Sequence, residues 1–402
     1  SVVKFVVSMK QYGTSSLLGQ QMSEWQGGAL YCYNDAKFTS RDFQNLARIG
    51  QASKLEKLST TGRFGLGFNS VFHWTDVPSI VSGDHLVMFD PHAKYVPGAT
   101  DNSRGIKIRF TGTELANQFP DQMNTYCIFG NDMKKCFDGT LFRFPFRNTT
   151  TASKSEISKK QYNEDANISE LIENFKKVVS KVILFLRHVQ RVEFYFEGEN
   201  DEEPKLQYFV DVRDREVLNG SAPRQSASGI DSLRYLTNST VFGLTSQSPR
   251  ANDWNAISNF IAGNGSQSLS KEAFYSKLLR TPEDQLPQTK HLVTIRFVDR
   301  TQHEESNQSK EVVNTDRYLI CSALGAGKCR AMACNPQHRD LKFLPWGSVA
   351  AHLSRNGQKN TSAMRGNAFC FLPLPSETGF SVHINGYFEL SANRRDIWFG
   401  GK

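Results

Sequence analysis

Short runs of β-branched and aromatic residues, each closed by turn-forming residues, recur along the first 147 positions and commit this part of the chain to a sheet. Val2–Val7 reads as a strand already in progress, with no cap before it, so the sequence is expected to begin inside a fold. Ala29–Asn34 reads as a second strand, and Ile80–Val81, Leu86–Phe89, Ile106–Phe110 and Thr140–Phe146 as later ones. Helical patterns interrupt them. Thr39 is placed as an N-cap, with Asp42 in the first turn and Phe43, Leu46 and Ile49 at helical spacing. A glycine-rich segment, Gly62–Gly67, opens a further helix through Val71 and Phe72. Strands mixed with helices, without strict alternation, predict an α+β fold in which helices cover one face of a mixed sheet.

Residues 148–169 form a polar break, which divides the chain into residues 1–147, a linker, and residues 170–402. The second part opens on the most regular helical pattern. Leu171, Ile172, Phe175, Val178, Val179, Val182, Ile183, Leu186 and Val189 fall on one broad apolar face. Val192–Phe196 and Leu206–Val212 predict a hairpin, His291–Val298 and Tyr318–Ala323 a second strand pair, and Phe369–Leu374 and Val382–Leu390 further strands. Residues 213–290 are polar and weakly periodic. This part too reads as α+β.

Composition removes several function classes. Hydrophobic residues at 39% and charged residues at 22% of a 402-residue chain exclude wholesale disorder. No apolar run approaches the ~18 residues of a membrane helix. The net charge of +8 is scattered, so a solvated basic surface is expected and nucleic acid is an unlikely partner. Seven cysteines, an odd number without a second close pair, predict free thiols, a reducing cytoplasmic setting and no metal site.

The chemistry is concentrated in Thr60–Phe72. Glycines at 62, 65 and 67 allow positive φ and close backbone approach, and they precede a helix start whose N–H groups have no intrahelical partner. Such a loop either holds phosphate or serves tight helix packing. The spacing is neither the P-loop pattern nor the dinucleotide fingerprint. Gly325–Cys329 superficially matches a P-loop, but Ser322 replaces the upstream glycine and Cys329 the Ser/Thr. Asp90-Pro91-His92 reads as a structural turn, and Trp74, Trp346 and Trp398 as core or interface anchors.

Four segments carry a family resemblance: Leu30–Thr39, Gly62–Ser79, Gly83–His92 and Phe388–Trp398. Through them the chain resembles the GHKL ATPases and the ninety-kilodalton heat-shock chaperones, and most closely the sacsin-like proteins. The resemblance implies a Bergerat-type α/β sandwich over residues 1–147, followed by a second α+β region. It implies ATP as ligand, with Gly62, Phe64, Gly65, Gly67 and Phe68 matching the lid around the triphosphate. Gly139-Thr140 matches the pair that helps hold adenine through a water. The family's acidic adenine-reading motif departs here: both of its glycines are missing around Asn34–Phe38, and an ungapped match sets Tyr33 at the acidic position. Asn34 or Asp35 presents the acceptor, or the two simply close a strand. Arg394 and Arg395 are either a γ-phosphate sensor or a surface ion-pair segment. The family's general-base Glu and Mg2+-binding Asn lie on a helix preceding the strand at which this sequence begins. Hydrolysis and Mg2+ are therefore expected only of a longer polypeptide. The implied role is a chaperone-type module acting on client proteins, co-chaperones or adjacent repeats, with a nucleotide-independent interaction module as the alternative.

Overall fold

The computed structural model describes residues 1–47, 68–162, 167–186, 188–218, 271–283, 286, 288–300, 311–325, 327–341, 344–359, 364–388, 390–391 and 396–397. Gly62, Phe64, Gly65, Gly67, Arg394 and Arg395 lie outside these residues, as does most of the polar stretch 213–290.

The strand patterns of the first 147 residues become β1 (Val2–Ser8), β2 (Ala29–Asn34), β3 (Ser79–Gly83), β4 (His85–Phe89), β5 (Gly105–Arg109) and β6 (Phe137–Pro145). α1 (Ser40–Ala47) starts where its cap predicts. Asp42 N–H donates to Thr39 Oγ1 at 3.3 Å and Thr39 N–H to Asp42 Oδ2 at 2.9 Å, a reciprocal box that satisfies two backbone donors. Between β5 and β6 lie two short helices, α2 (Leu115–Gln118) and α3 (Pro120–Asn124). The polar break holds α4 (Thr149–Lys154), capped by Asn148, and buries Thr151, Ala152, Ser155 and Tyr162.

The second part supplies α5 (Asn167–Val182), β7 (Arg191–Glu197), β8 (Lys205–Val217), α6 (Lys271–Arg280), β9 (Gln288–Asp299), β10 (Val312–Leu324) and α7 (Gly327–Cys334). β11 (Trp346–Arg355), β12 (Gln358–Lys359), β13 (Asn367–Cys370), β14 (Leu372–Glu377) and β15 (His383–Gly386) complete it. The single strand expected at Phe369–Leu374 is instead two. Phe371 takes a φ of 64°, which reverses the chain so that β13 and β14 pair antiparallel. Its backbone N–H donates to Asn385 Oδ1 at 2.8 Å, and its ring packs on Tyr387 at 5.0 Å, which offsets the cost of left-handed backbone at a bulky residue.

The fifteen strands of the described residues join one mixed sheet, in the order β14-β13-β15-β11-β10-β9-β8-β7-β1-β2-β6-β3-β4-β5, with β12 beside β11. The two parts of the chain meet where β1 pairs parallel to β7. Alternation sorts the residues of β1, β2, β3 and β6 onto two faces. On one face, Val6, Tyr31, Val81 and Leu141 pack under Met22, Trp25, Met123 and Tyr126. On the other, Phe5, Val7 and Leu30 join a core with Phe175, Val179 and Ile183, so α5 lies across this second face. The Phe5 and Phe175 rings meet edge-on at 5.2 Å. α5 buries the predicted stripe through Val179, while Val178, also placed on that stripe, is 39% exposed at its flank.

Candidate functional site

The face under α5 carries Asn34 and Thr140, two of the residues that the resemblance singles out. Register pairs Val3 with Asn34, Phe5 with Cys32, Asn34 with Thr140, Cys32 with Phe142 and Ser82 with Thr140. Cross-strand partners share a face, so these residues form one patch on four adjoining strands. Phe5, Cys32 and Phe142 are only partly buried and make an apolar floor. Burial pushes the Cys32 thiol up to about 12, so it stands in this floor as an unreactive apolar group.

Asn34, Asp35, Gly139 and Thr140 are brought together at one end of that patch. After Asn34 the chain turns, with Asn34 Oδ1 accepting from Ala36 N–H at 3.1 Å. Asp35 Oδ2 accepts the Val2 backbone N–H at 3.1 Å and ties the turn to β1. The turn then folds over the end of β6. Thr140 Oγ1, fully buried, donates to the Ala36 carbonyl at 2.7 Å. Ser82 Oγ lies 2.8 Å from Thr140 Oγ1 and 3.1 Å from the Gly139 carbonyl, and it accepts from Phe38 N–H at 2.9 Å. Gly139 is required by space: a Cβ there would stand 2.6 Å from the Tyr33 ring and 2.9 Å from the Asn34 carbonyl oxygen. Tyr33, the residue that an ungapped match sets at the acidic position, packs on the opposite face against Phe129 and Phe137.

Phe68 is not brought to this end. It opens a 3₁₀ turn, Phe68–His73, and packs on Phe89 at 5.0 Å. Phe89 is the far end of β4 from His85, the partner of Ser82. That turn is anchored where it ends. Arg147 donates to the carbonyls of Phe72 at 2.6 Å and His73 at 2.8 Å, and its Nε bonds Asp76 at 2.6 Å. Asp76 also meets His92 Nε2 at 3.1 Å, while Asp90 accepts from the backbone of His92, Tyr95 and Val96. The Asp90–His92 turn is thus structural, as its sequence implies.

Sequence reasoning missed Ser82 and Arg147. A serine closing the short apolar run Ile80-Val81 was the available signal for the first; nothing local marked the second. At Gly325–Cys329, the Gly327 N–H that opens α7 donates to Glu283 Oε1 at 2.7 Å, so the chain's own carboxylate occupies that helix start. Among the described residues no three of His, Cys, Asp or Glu gather as a metal requires, and no helix is long and apolar enough to cross a membrane.

A sacsin-domain family model matches residues 1–209, which covers all of β1 to β7 and the patch. The chain is also 32% identical to human sacsin over 98% of its own length. It belongs to the sacsin family. The alignment spans about 8% of the human protein, so this sacsin-family chain corresponds to a small part of that relative.

Proposed function

We propose that this chain is an ATP-binding chaperone-type module of a sacsin-type protein, acting in cytoplasmic protein folding or quality control. ATP is the nucleotide that the resemblance names. The observation supporting the reading is the convergence of Asn34-Asp35 with Gly139-Thr140 at one end of a partly open apolar floor. An apolar surface with a few polar groups at one end is the usual make-up of a small-molecule site. The Gly62–Phe68 segment would enclose the triphosphate, and Arg394 or Arg395 would sense its last phosphate. Client proteins, co-chaperones and neighbouring repeats are the partners this role implies. The described residues offer no ligand set for Mg2+, and no step of the proposal runs through it.

The test is isothermal titration with ATP and Mg2+ of the chain, alone and together with the polypeptide that precedes Ser1 in its parent protein. Micromolar binding by the longer form is expected. Its absence would remove the nucleotide from the proposal. A second reading, an interaction module that works without nucleotide, is favoured by one observation. The Thr140 hydroxyl, which would orient a water toward the base, already donates to Ala36 and is fully buried.

A further inference from the structure

Two glutamines are enclosed in the first part of the chain with their side chains unbonded. Gln26 is 2% exposed and Gln122 is fully buried. Gln26 follows Trp25 and Gln122 precedes Met123, both in the core on the face opposite the candidate patch. Among the described residues, neither Oε1 nor Nε2 of either side chain has a hydrogen-bond partner. Buried polar side-chain atoms are nearly always bonded, so these amides require partners of some kind.

Their surroundings are polar and fixed. Tyr12 N–H donates to the Gln26 carbonyl at 3.0 Å, and Gln122 N–H donates to the Ser16 carbonyl at 3.3 Å. One loop, Tyr12–Ser16, is therefore tied to both glutamines, and its short span keeps the two ties within about 14 Å of each other. Asp121 Oδ2 holds the same loop by accepting from Ser15 N–H at 2.8 Å and Ser16 N–H at 2.9 Å. A file of buried polar groups also connects the two. Thr125 Oγ1 donates to the Gln122 carbonyl at 2.8 Å, the Tyr31 hydroxyl to the Thr125 carbonyl at 2.9 Å, and Arg143 Nε to the Tyr31 oxygen at 3.2 Å. Arg143 Nη2 donates to the carbonyls of Trp25 and Gly27, on either side of Gln26.

An amide presents an acceptor at one end and donors at the other. A halide only accepts and would leave the oxygens bare, and a metal cation would meet the oxygens alone. A water molecule both donates and accepts, and enclosed polar positions are where buried water resides. We infer that Gln26 and Gln122 are binding sites for internal water, held beside the Tyr12–Ser16 loop as a lasting part of the fold.

A crystal structure of the chain that resolves ordered solvent, grown in sodium bromide, is the direct test. Solvent peaks without anomalous signal are expected within hydrogen-bond distance of both ends of each amide. Amides turned onto protein partners, or a bromide peak beside them, would overturn the inference. Oxygen-17 relaxation dispersion reads long-lived internal water in solution. Gln26→Met combined with Gln122→Met keeps nearly the same volume and should lose part of that signal, in a chain shown by far-UV circular dichroism to be folded. An undiminished signal would overturn the inference. So would a raised urea midpoint, since removal of a dry, unpaired amide stabilises a core.

Discussion

At the scale of single residues, two positions near the patch have costs that follow from space and charge. Gly139 sits where any Cβ would overlap the Tyr33 ring and the Asn34 carbonyl oxygen, and one of these contacts is backbone that moves only with β2. Gly139→Ala should therefore destabilise the chain by about 1–3 kcal/mol, the usual cost of overpacking, read as a lowered urea midpoint. Asp76 and Arg147 are both fully buried, and their Nη2 to Oδ1 ion pair lies at 2.5 Å. Asp76→Ala leaves the Arg147 guanidinium in the interior with carbonyl partners and no opposing charge. About 3–5 kcal/mol should be lost, a far larger drop than at the exposed Lys37–Asp138 pair, where removal of either charge should scarcely register.

Among the elements, α5 offers a matched comparison on adjacent residues. Val179 is fully buried against the sheet and Val178 is 39% exposed, although helical period alone placed both on the apolar face. Val179→Ala should cost about 2 kcal/mol from lost burial and the cavity left behind. Val178→Ala should stay within about 0.5 kcal/mol. Equal losses in urea unfolding would mean that the helix is rotated from the orientation described. The same contrast marks how far the sequence could be read. β1, β2, β6, α5 and the β7–β8 hairpin were legible because periodicity and turn residues agree there. β11 was not: Gly347, Ser348, Ala350 and Ala351 have little strand preference, and the strand exists because β10 and β15 hydrogen-bond to it on both sides. The reversal at Phe371 was equally silent, since left-handed backbone at a phenylalanine is enforced by Asn385 and Tyr387 from elsewhere in the chain. In the candidate site, the meeting of Asn34 with Gly139-Thr140 was legible from the resemblance. The commitment of Thr140 to Ala36 and Ser82 was not, because it depends on how the turn after β2 folds over β6.

Across the whole molecule, one sheet and one core connect the two parts of the chain, so a charge change in the second part is felt by the fold that carries the patch. Val7 and Phe146 from the first part share a core with Val192, Val293, Ile320 and Phe369 from the second. The ends of the sheet are protected against further pairing, by Pro373 and Pro375 in β14 and by Lys107 and Arg109 in β5. Two buried histidines lie within this sheet, His291 on β9 and His383 on β15. Burial holds each down to about 4, reinforced at His291 by Arg215 and at His383 by Lys181 and His352. In the unfolded chain a histidine takes its proton near 6.5, so between that value and about 4 the unfolded state binds more protons than the folded one. The stabilisation is fully present above pH 6.5 and is lost as pH falls toward 4. The urea midpoint should therefore decline from pH 6.5 downward, before the lowered carboxylates Glu193, Asp121 and Asp132 add their own losses at lower pH. His291→Leu combined with His383→Gln, which keeps an acceptor for the Asn367 N–H, should flatten the profile between pH 6.5 and 5. A native chain whose midpoint is constant over that window would show that the two imidazoles are hydrated rather than enclosed, and that the sheet does not seal the core it shares between the two parts.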